Sequence, residues 1–420
     1  MNIDIKDNNI FAKLINVAVV FLSTSLALNL VTYGISQKLF YLTGYICAFL
    51  TVMVLFKKEE RKEIDFFTYL LVLALIFIGV VRVAWVVYIQ SEPREISDIA
   101  AGVLDGYRLS GKRLFLGAFI VAAMMIYGRK VSKKTVSCVK VILLIGMIVT
   151  LVAGFYEYFY VTHRRIKLTA DAASSSSYMV MFIYCAYLWL CGFHFGKLWR
   201  LIDVVFIAVA FLVMVLCGTR ITFLAFMGVT FLYYIKALGW RNIIYSKRNI
   251  ALAVCLMTVV ISFTQARWIE AINNIDNYDV NSSTSVGARF SIWASGVNFI
   301  EKNIGFSSPD ERTEVSRKYI HHIDPKNHTA YNNVEYNMHN EFLEVTSLQG
   351  LLGFASLFIF YLVVLVGKFK HSPLHGVVMP VAALFITGLT DSVLIYGPTA
   401  MVFVSALALC SINSERKMME

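Results

Sequence analysis

Stretches of about 18 or more apolar residues recur along the chain, parted by short polar segments that are often basic. A chain in lipid must satisfy its own backbone hydrogen bonds, which leaves helices or closed barrels, and unbroken runs such as Leu70–Val81 read as helices. The pattern predicts twelve spans, at roughly 14–33, 38–56, 66–89, 113–128, 135–160, 174–195, 201–217, 221–235, 249–265, 341–366, 376–391 and 393–412. Val17–Leu30 has no small-residue cleavage site after it and reads as part of the first span rather than a signal peptide. Pro380, Gly388 and Pro398 interrupt the last two spans. One polar stretch, Ala266–Met338, is long enough to build a site of its own. In it Ser283-Thr284-Ser285 precedes Gly287-Ala288-Arg289, and Phe290, Trp293, Val297 and Ile300 follow at helical spacing. These residues predict a capped amphipathic helix against the membrane surface, with Arg289 in its first turn. The expected division is 1–265 (nine spans), 266–338 (a large outer loop containing helices) and 339–420 (three spans and a C-terminal tail).

Composition agrees with an all-α, polytopic transmembrane bundle. The 420 residues are 58% hydrophobic and 15% charged, too little polar surface for a soluble domain. The net charge of +11 has no soluble basic domain to carry it, so nucleic acid is not the expected partner; membrane lipids are. The face that holds both termini carries about 20 Lys and Arg, against about 9 in the short loops opposite, which predicts cytoplasmic termini. The clusters responsible are Lys57-Lys58 with Arg61-Lys62, Arg129-Lys130 with Lys133-Lys134, Lys236 through Arg241 to Lys247-Arg248, Lys368 with Lys370, and Arg416-Lys417. All seven cysteines fall in or beside spans, so neither a disulfide framework nor a zinc site is expected.

Candidate chemistry gathers on the outer face. His163-Arg164-Arg165-Ile166-Lys167 is a basic cluster on the side that should lack one; it reads as an anchor or as an anion site. Gly218-Thr219-Arg220 forms a tight turn between two apolar runs and presents Arg220 at the membrane boundary. Arg289 opens the loop helix, where an N-terminus already favours anions. His339 sits where the loop re-enters the bilayer. Taken singly, an interfacial Arg or His is more often an anchor or structural. Asp391, at an outer turn, suggests a partner such as one of the arginines, or reads equally well as a helix-end acid exposed to water. Glu341 and Glu344 suit a helix N-terminus without chemistry. Arg82, Lys140, Glu157 and Asp203, in or near spans, keep a transporter or flippase open as a different class. His321, His322 and His328 lack nearby cysteines, the first outer loop has no acid, and no Asp-x-Asp occurs in the long loop, so no metal and no cofactor are expected.

Ser285-Val286-Gly287-Ala288-Arg289, the Gly218-Thr219-Arg220 turn, and His339-Asn340-Glu341 followed by Gly350 resemble the O-antigen ligases of Gram-negative inner membranes, within the O-antigen ligase and polymerase superfamily. The pattern of spans, the large loop between the ninth and tenth, and Gly388-Leu389-Thr390-Asp391 extend the resemblance. It implies a GT-C-like bundle that moves O-polysaccharide from undecaprenyl pyrophosphate to a sugar hydroxyl of lipid A–core oligosaccharide, finishing lipopolysaccharide at the periplasmic face. It implies catalytic roles for His339, Arg220 and Arg289, with Arg164, Arg165, Asp391 and Asn340 as substrate-binding candidates for pyrophosphate or sugar. Two arginines could neutralise the leaving group without a metal. Asn337 stands where several relatives carry a second His, which counts against a mechanism needing two. An O-antigen polymerase and a protein O-oligosaccharyltransferase are the related alternatives.

Overall fold

The computed structural model describes residues 2–56, 64–93, 95–192, 197–238, 245, 247–370 and 374–412. Fifteen α-helices and no strand occur among them. They are α1 (Asn2–Leu28), α2 (Tyr33–Phe56), α3 (Phe66–Ser91), α4 (Asp98–Tyr127), α5 (Lys133–Tyr156), α6 (Ala173–Cys191), α7 (Lys197–Cys217) and α8 (Arg220–Leu238). There follow α9 (Lys247–Asp276), α10 (Gly287–Lys302), α11 (Pro309–Ile323), α12 (His328–Asn333), α13 (Glu341–Lys370), α14 (Leu374–Gly388) and α15 (Gly397–Cys410). Each of the twelve expected spans overlaps one of α1–α9 or α13–α15. Eight described helices are long and apolar enough to cross a membrane, and α8, α14 and α15 are apolar but shorter. The chain is a multi-pass helical membrane protein. α9 runs on to Asp276, past residue 265.

Sequence explains where many helices start. Asp65, Ser97, Ser132, Ser308 and Asn327 each accept a hydrogen bond from the first turn that follows, and Pro309 occupies a first-turn position where its missing N–H costs nothing. The centre of the bundle is α6 with α15, nearly every side chain of which is buried. α15 can be enclosed because it is apolar all round and rich in small residues, and Gly117 of α4 accepts Val404 at closest approach.

Side-chain bridges place six connections on one face, here the loop face. Thr169 donates to the Asn29 carbonyl, Arg165 to the Cys217 carbonyl and Asn340 to the Leu389 carbonyl. Tyr396 bonds Asp171, and Ser97 bonds Asp310 of α11. The connection from α4 to α5, with Arg129, Lys130, Lys133 and Lys134, leaves the bundle at the opposite end. Lys57-Lys58, Arg61-Lys62, Arg241 and Arg416-Lys417 lie outside the described residues.

Three ion pairs lie fully enclosed among the described residues. Arg82 of α3 meets Glu341 at 3.1 Å and Arg312 of α11 meets Glu344 at 2.9 Å, all four fully enclosed. The second oxygen of Glu341 accepts the Leu394 N–H at 2.9 Å, and Glu344 accepts the Met338 N–H at 2.7 Å. Arg82 also donates to Ser110 at 2.8 Å. Glu341 and Glu344 are therefore more than helix-end acids: they tie α3, α4, α11 and the α14–α15 connection to the start of α13. At the other end Lys140 pairs with Asp203 at 2.6 Å, and Tyr187 donates to the same carboxylate. Glu157 accepts the N–H groups of Lys167 and Leu168, folding the basic loop back on α5.

A break in α13 seats the loop domain. Gly350 has φ 58°, and an added Cβ would lie 2.2 Å from the Ile304 carbonyl oxygen. Only glycine fits there. The opened turn exposes backbone groups that segment 303–307 uses: Leu351 N donates to Ile304 O at 3.1 Å and Ser307 N to Leu348 O at 3.0 Å.

Removing one partner of a buried pair strands the other. Glu341→Ala should lower stability by about 3–5 kcal/mol, read as a lower thermal midpoint in detergent. Arg82→Met combined with Glu341→Met should recover most of that loss, because no charge is then left uncompensated. A Glu341→Ala protein that unfolds with the wild type would remove this pair as a determinant of the fold.

Candidate active site

The turn between α7 and α8 is built for close approach. Gly218 has φ 62°, a conformation open to glycine at no cost. Arg165 straddles the turn, its Nε donating to Cys217 O at 2.7 Å and its Nη2 to Thr219 Oγ1 at 2.9 Å. Arg165 therefore braces the backbone that presents Arg220, and its guanidinium is already committed to that task. Arg220 points toward the extension of α9, where it pairs with Glu270 at 2.7 Å. Had α9 ended near residue 265, this partner would be missing. Arg164, next in sequence, is exposed and its side chain donates to no described residue.

His339 is held from three sides. Its backbone is left-handed, φ 49°, and Asn337 steadies that turn by accepting the His339 N–H at 2.8 Å. Asn337 thus has a structural task. Trp293 of α10 donates to the His339 carbonyl at 3.2 Å. The ring Nδ1 lies 3.3 Å from Asp391, whose other oxygen accepts from Tyr178 at 2.8 Å. With Nδ1 donating to a carboxylate, the lone pair of the neutral ring resides on Nε2. Asn340 caps α13 by accepting the N–H groups of Phe342 and Leu343, and its amide bonds Leu389 O at 3.0 Å. That amide secures the connection carrying Asp391.

Asp391 is neither paired directly with an arginine nor left to water: it bonds His339, Tyr178 and the Ser392 N–H. Arg289 acts on it through space. Burial by itself would raise the Asp391 carboxyl, but the hydrogen bond and charge of His339, the hydrogen bond from Tyr178 and the charge of Arg289 hold it at about 2, below its ordinary 3.8. Asp391 lies in the connection between α14 and α15, outside the helices. Arg289 sits in the first turn of α10, where Thr284 accepts the Gly287 N–H, and its side chain hydrogen-bonds to no described residue. The helix buries Ala288, Ile292 and Phe299 and leaves Phe290 and Val297 exposed, so the face expected against the membrane is the outer one. His339, Asp391, Tyr178 and Arg289 thus form one group, with the Arg165-braced turn acting electrostatically on Tyr178. Arg164 stands apart. Tyr178 and Glu270 carry no sequence signal beyond being polar side chains at helix ends. Chemically, the group offers an oriented imidazole able to accept a proton and an uncommitted guanidinium able to bind an anion.

Because the folded Asp391 carboxyl titrates below its unfolded value, its contribution is fully present above about pH 4 and is lost as pH falls toward about 2. Asp391→Asn should cost on the order of 2 kcal/mol near neutrality, and the gap to wild type should narrow at about pH 3. Thermal midpoints of both proteins at the two pH values test this; an unchanged gap would show that the carboxylate is not held ionised by the fold.

Residues 204–358, from α7 through the loop domain into α13, match the family model described as O-antigen ligase. The O-antigen ligase of Escherichia coli (strain K12) is 24% identical over 401 residues, covering 93% of this chain and 91% of that protein. The matched segment contains Arg220, Glu270, Arg289 and His339 together with the helices that carry them, and the relative extends the likeness to the remaining spans. Both comparisons thus support a likeness of this chain to the O-antigen ligases, through the loop segment in one case and along nearly the whole chain in the other.

Proposed function

We propose that this protein is an O-antigen ligase that transfers O-polysaccharide from undecaprenyl pyrophosphate to a sugar hydroxyl of lipid A–core oligosaccharide. The observation that carries the reading is the His339–Asp391–Tyr178 relay beside the uncommitted Arg289, at the mouth of a membrane bundle. The loop face, with 266–338, then lies in the periplasm of a bacterial inner membrane, and both termini are cytoplasmic. The name of the E. coli relative, O-antigen ligase, supports the ligase reading.

In this mechanism the acceptor oxygen attacks the anomeric carbon of the first donor sugar. Its proton passes to His339 Nε2 while Asp391 stabilises the imidazolium that forms. The anomeric carbon–oxygen bond breaks, and its electron pair leaves with the undecaprenyl pyrophosphate. Arg289 and Arg220 neutralise that leaving group, so no metal is required for the step. Arg220 first exchanges Glu270 for the pyrophosphate, and Arg165 keeps the turn in place. Asn340 acts on geometry through Leu389, and the exposed Arg164 is left to meet the donor headgroup at the surface.

Deleting the gene in a strain that makes long-chain lipopolysaccharide should leave an intact core bare of polymer and accumulate polymer on the lipid carrier. A core carrying a single repeat unit would instead assign a polymerase, and an unchanged lipopolysaccharide would refute both. With purified protein and the two lipid substrates, Arg220→Ala and Arg289→Ala should each lower transfer by about 100-fold or more, the cost of removing a charge aimed at a transition state. Lys at either position should rescue poorly, since a point charge does not match two oxygens at once. Excess chelator should leave the rate unchanged. The wild-type rate should fall toward acid pH as the base is protonated, and His339→Gln should be slow and lack that limb. A His339→Gln enzyme near the wild-type rate would leave His339 as a positioning group only.

A further inference from the structure

The loop domain contains a second concavity that the reaction above does not use. Between α11 and α12 lies an open groove of about 680 Å³, within the range of small-ligand sites. Ile320 forms part of its lining, His321 and Arg317 come from α11, His328 and Tyr331 from α12, and Asp324 from the turn between them. Among the described residues no three metal-ligating side chains come together.

We propose that this groove is a glycan subsite, taking an uncharged stretch of pyranose rings. Three observations converge on that chemistry. The first is the ring of Tyr331, 41% exposed yet fixed in place: the Arg317 guanidinium lies 5.1 Å from its centroid and Arg317 Nε donates to the Tyr331 carbonyl at 3.1 Å. An aromatic ring that is wet and immobile suits the apolar C–H face of a sugar, and little side-chain freedom is lost when a sugar lands on it.

The second is charge. The cations of the groove already have carboxylate partners, Arg317 with Glu335 at 2.6 Å and Lys318 with Glu314 at 2.5 Å. Asp310 and Asp324 also line it. An anion would have to break those pairs and face the carboxylates released. Hydroxyl groups, which donate and accept, can instead use the carboxylates and imidazoles as they stand.

The third is location. Asp324 accepts from Ser282 at 2.9 Å and from Ser291 at 3.1 Å, and Asn327 donates to Ser291 at 3.1 Å. These bonds fasten the groove to the start of α10 and the segment before it, on the helix that carries Arg289. Ile320, Ala330 and Val334 share one apolar cluster with Ala288, Ile292 and Met338, the neighbour of His339. A glycan held in the groove is therefore held on the same rigid unit as the groups assigned to transfer. The inference deepens the ligase reading and rests on it for the origin of the glycan, which is either the acceptor's core or the donor's polymer.

The test uses full-length protein in detergent, with three lipid-free probes: core oligosaccharide, released O-polysaccharide, and inorganic pyrophosphate. Binding is read by saturation-transfer NMR and titration calorimetry for wild type, Tyr331→Ala, Tyr331→Phe and His321→Ala. One glycan should bind, weaken at least tenfold in Tyr331→Ala, and be restored in Tyr331→Phe; which glycan does so names the source. His321→Ala, at an exposed position, should also weaken it, and keeps the test alive if Tyr331→Ala misfolds. Pyrophosphate binding should be indifferent to all three substitutions. If neither glycan binds, or binding ignores the substitutions while the protein still ligates in cells, the groove assignment is overturned and the ligase reading stands. If a glycan binds through Tyr331 but the gene deletion leaves lipopolysaccharide unchanged, the subsite stands and the ligase reading fails.

Discussion

A carboxylate taken out of water needs partners enough to replace its hydration, and Glu341 and Glu344 obtain theirs from five separate parts of the chain. One turn of α13 thereby receives Arg82, Arg312, the backbone of Leu394 and Met338, and Tyr107 at 3.5 Å. The geometry of the site follows from this node. His339 immediately precedes Asn340 and Glu341, and Asp391 lies three residues before the Leu394 N–H that Glu341 accepts. Fixing Glu341 thus fixes both halves of the His–Asp contact. Such burial does not by itself add much stability, since desolvation offsets most of the attraction. What it supplies is a single arrangement in which mispaired alternatives leave charges stranded.

The same logic separates what can be read along the chain from what cannot. Spans are legible because each apolar run reports its own environment; α6 and α3 stand out without reference to anything distant. The Gly218 turn and the importance of Gly350 are legible too, as local backbone demands. Partners are not. Arg82 on its own is a charge in a span, equally suited to a transporter, and only its distant carboxylate shows it to be a strut. Asp391 invites an arginine because opposite charges attract, yet a histidine and a tyrosine reach it first. The extension of α9 is hidden for another reason: Arg267, Glu270 and Asn273-Asn274 lower the hydropathy while the backbone continues as helix, so the end of the apolar run is not the end of the element.

The candidate site divides between two supports. Arg289 and His339 belong to the loop domain and the start of α13, cross-linked by Trp293. Arg220 and its brace Arg165 belong to the bundle. In the proposed reaction the pyrophosphate touches both, so the donor itself would complete the assembly. Arg220 waits in a partly exposed pair with Glu270, which is easily exchanged. Arg289 has no competing acceptor among the described residues. The two arginines thus differ in readiness although the sequence presents them alike.

The 259-residue separation of Arg82 and Glu341 has a consequence for biogenesis. The ribosome delivers α3 to the membrane long before it makes α13, and in that interval Arg82 has no carboxylate to meet. An unpaired arginine at a helix centre costs about 2.5–3.5 kcal/mol to insert, a sum the apolar remainder of α3 can offset. The helix can therefore enter the bilayer early, but its final rotation and depth are fixed only when α13 arrives and Glu341 captures it. Membrane insertion and completion of the fold are two events separated in time, and the translation of residues 83–340 is the clock between them.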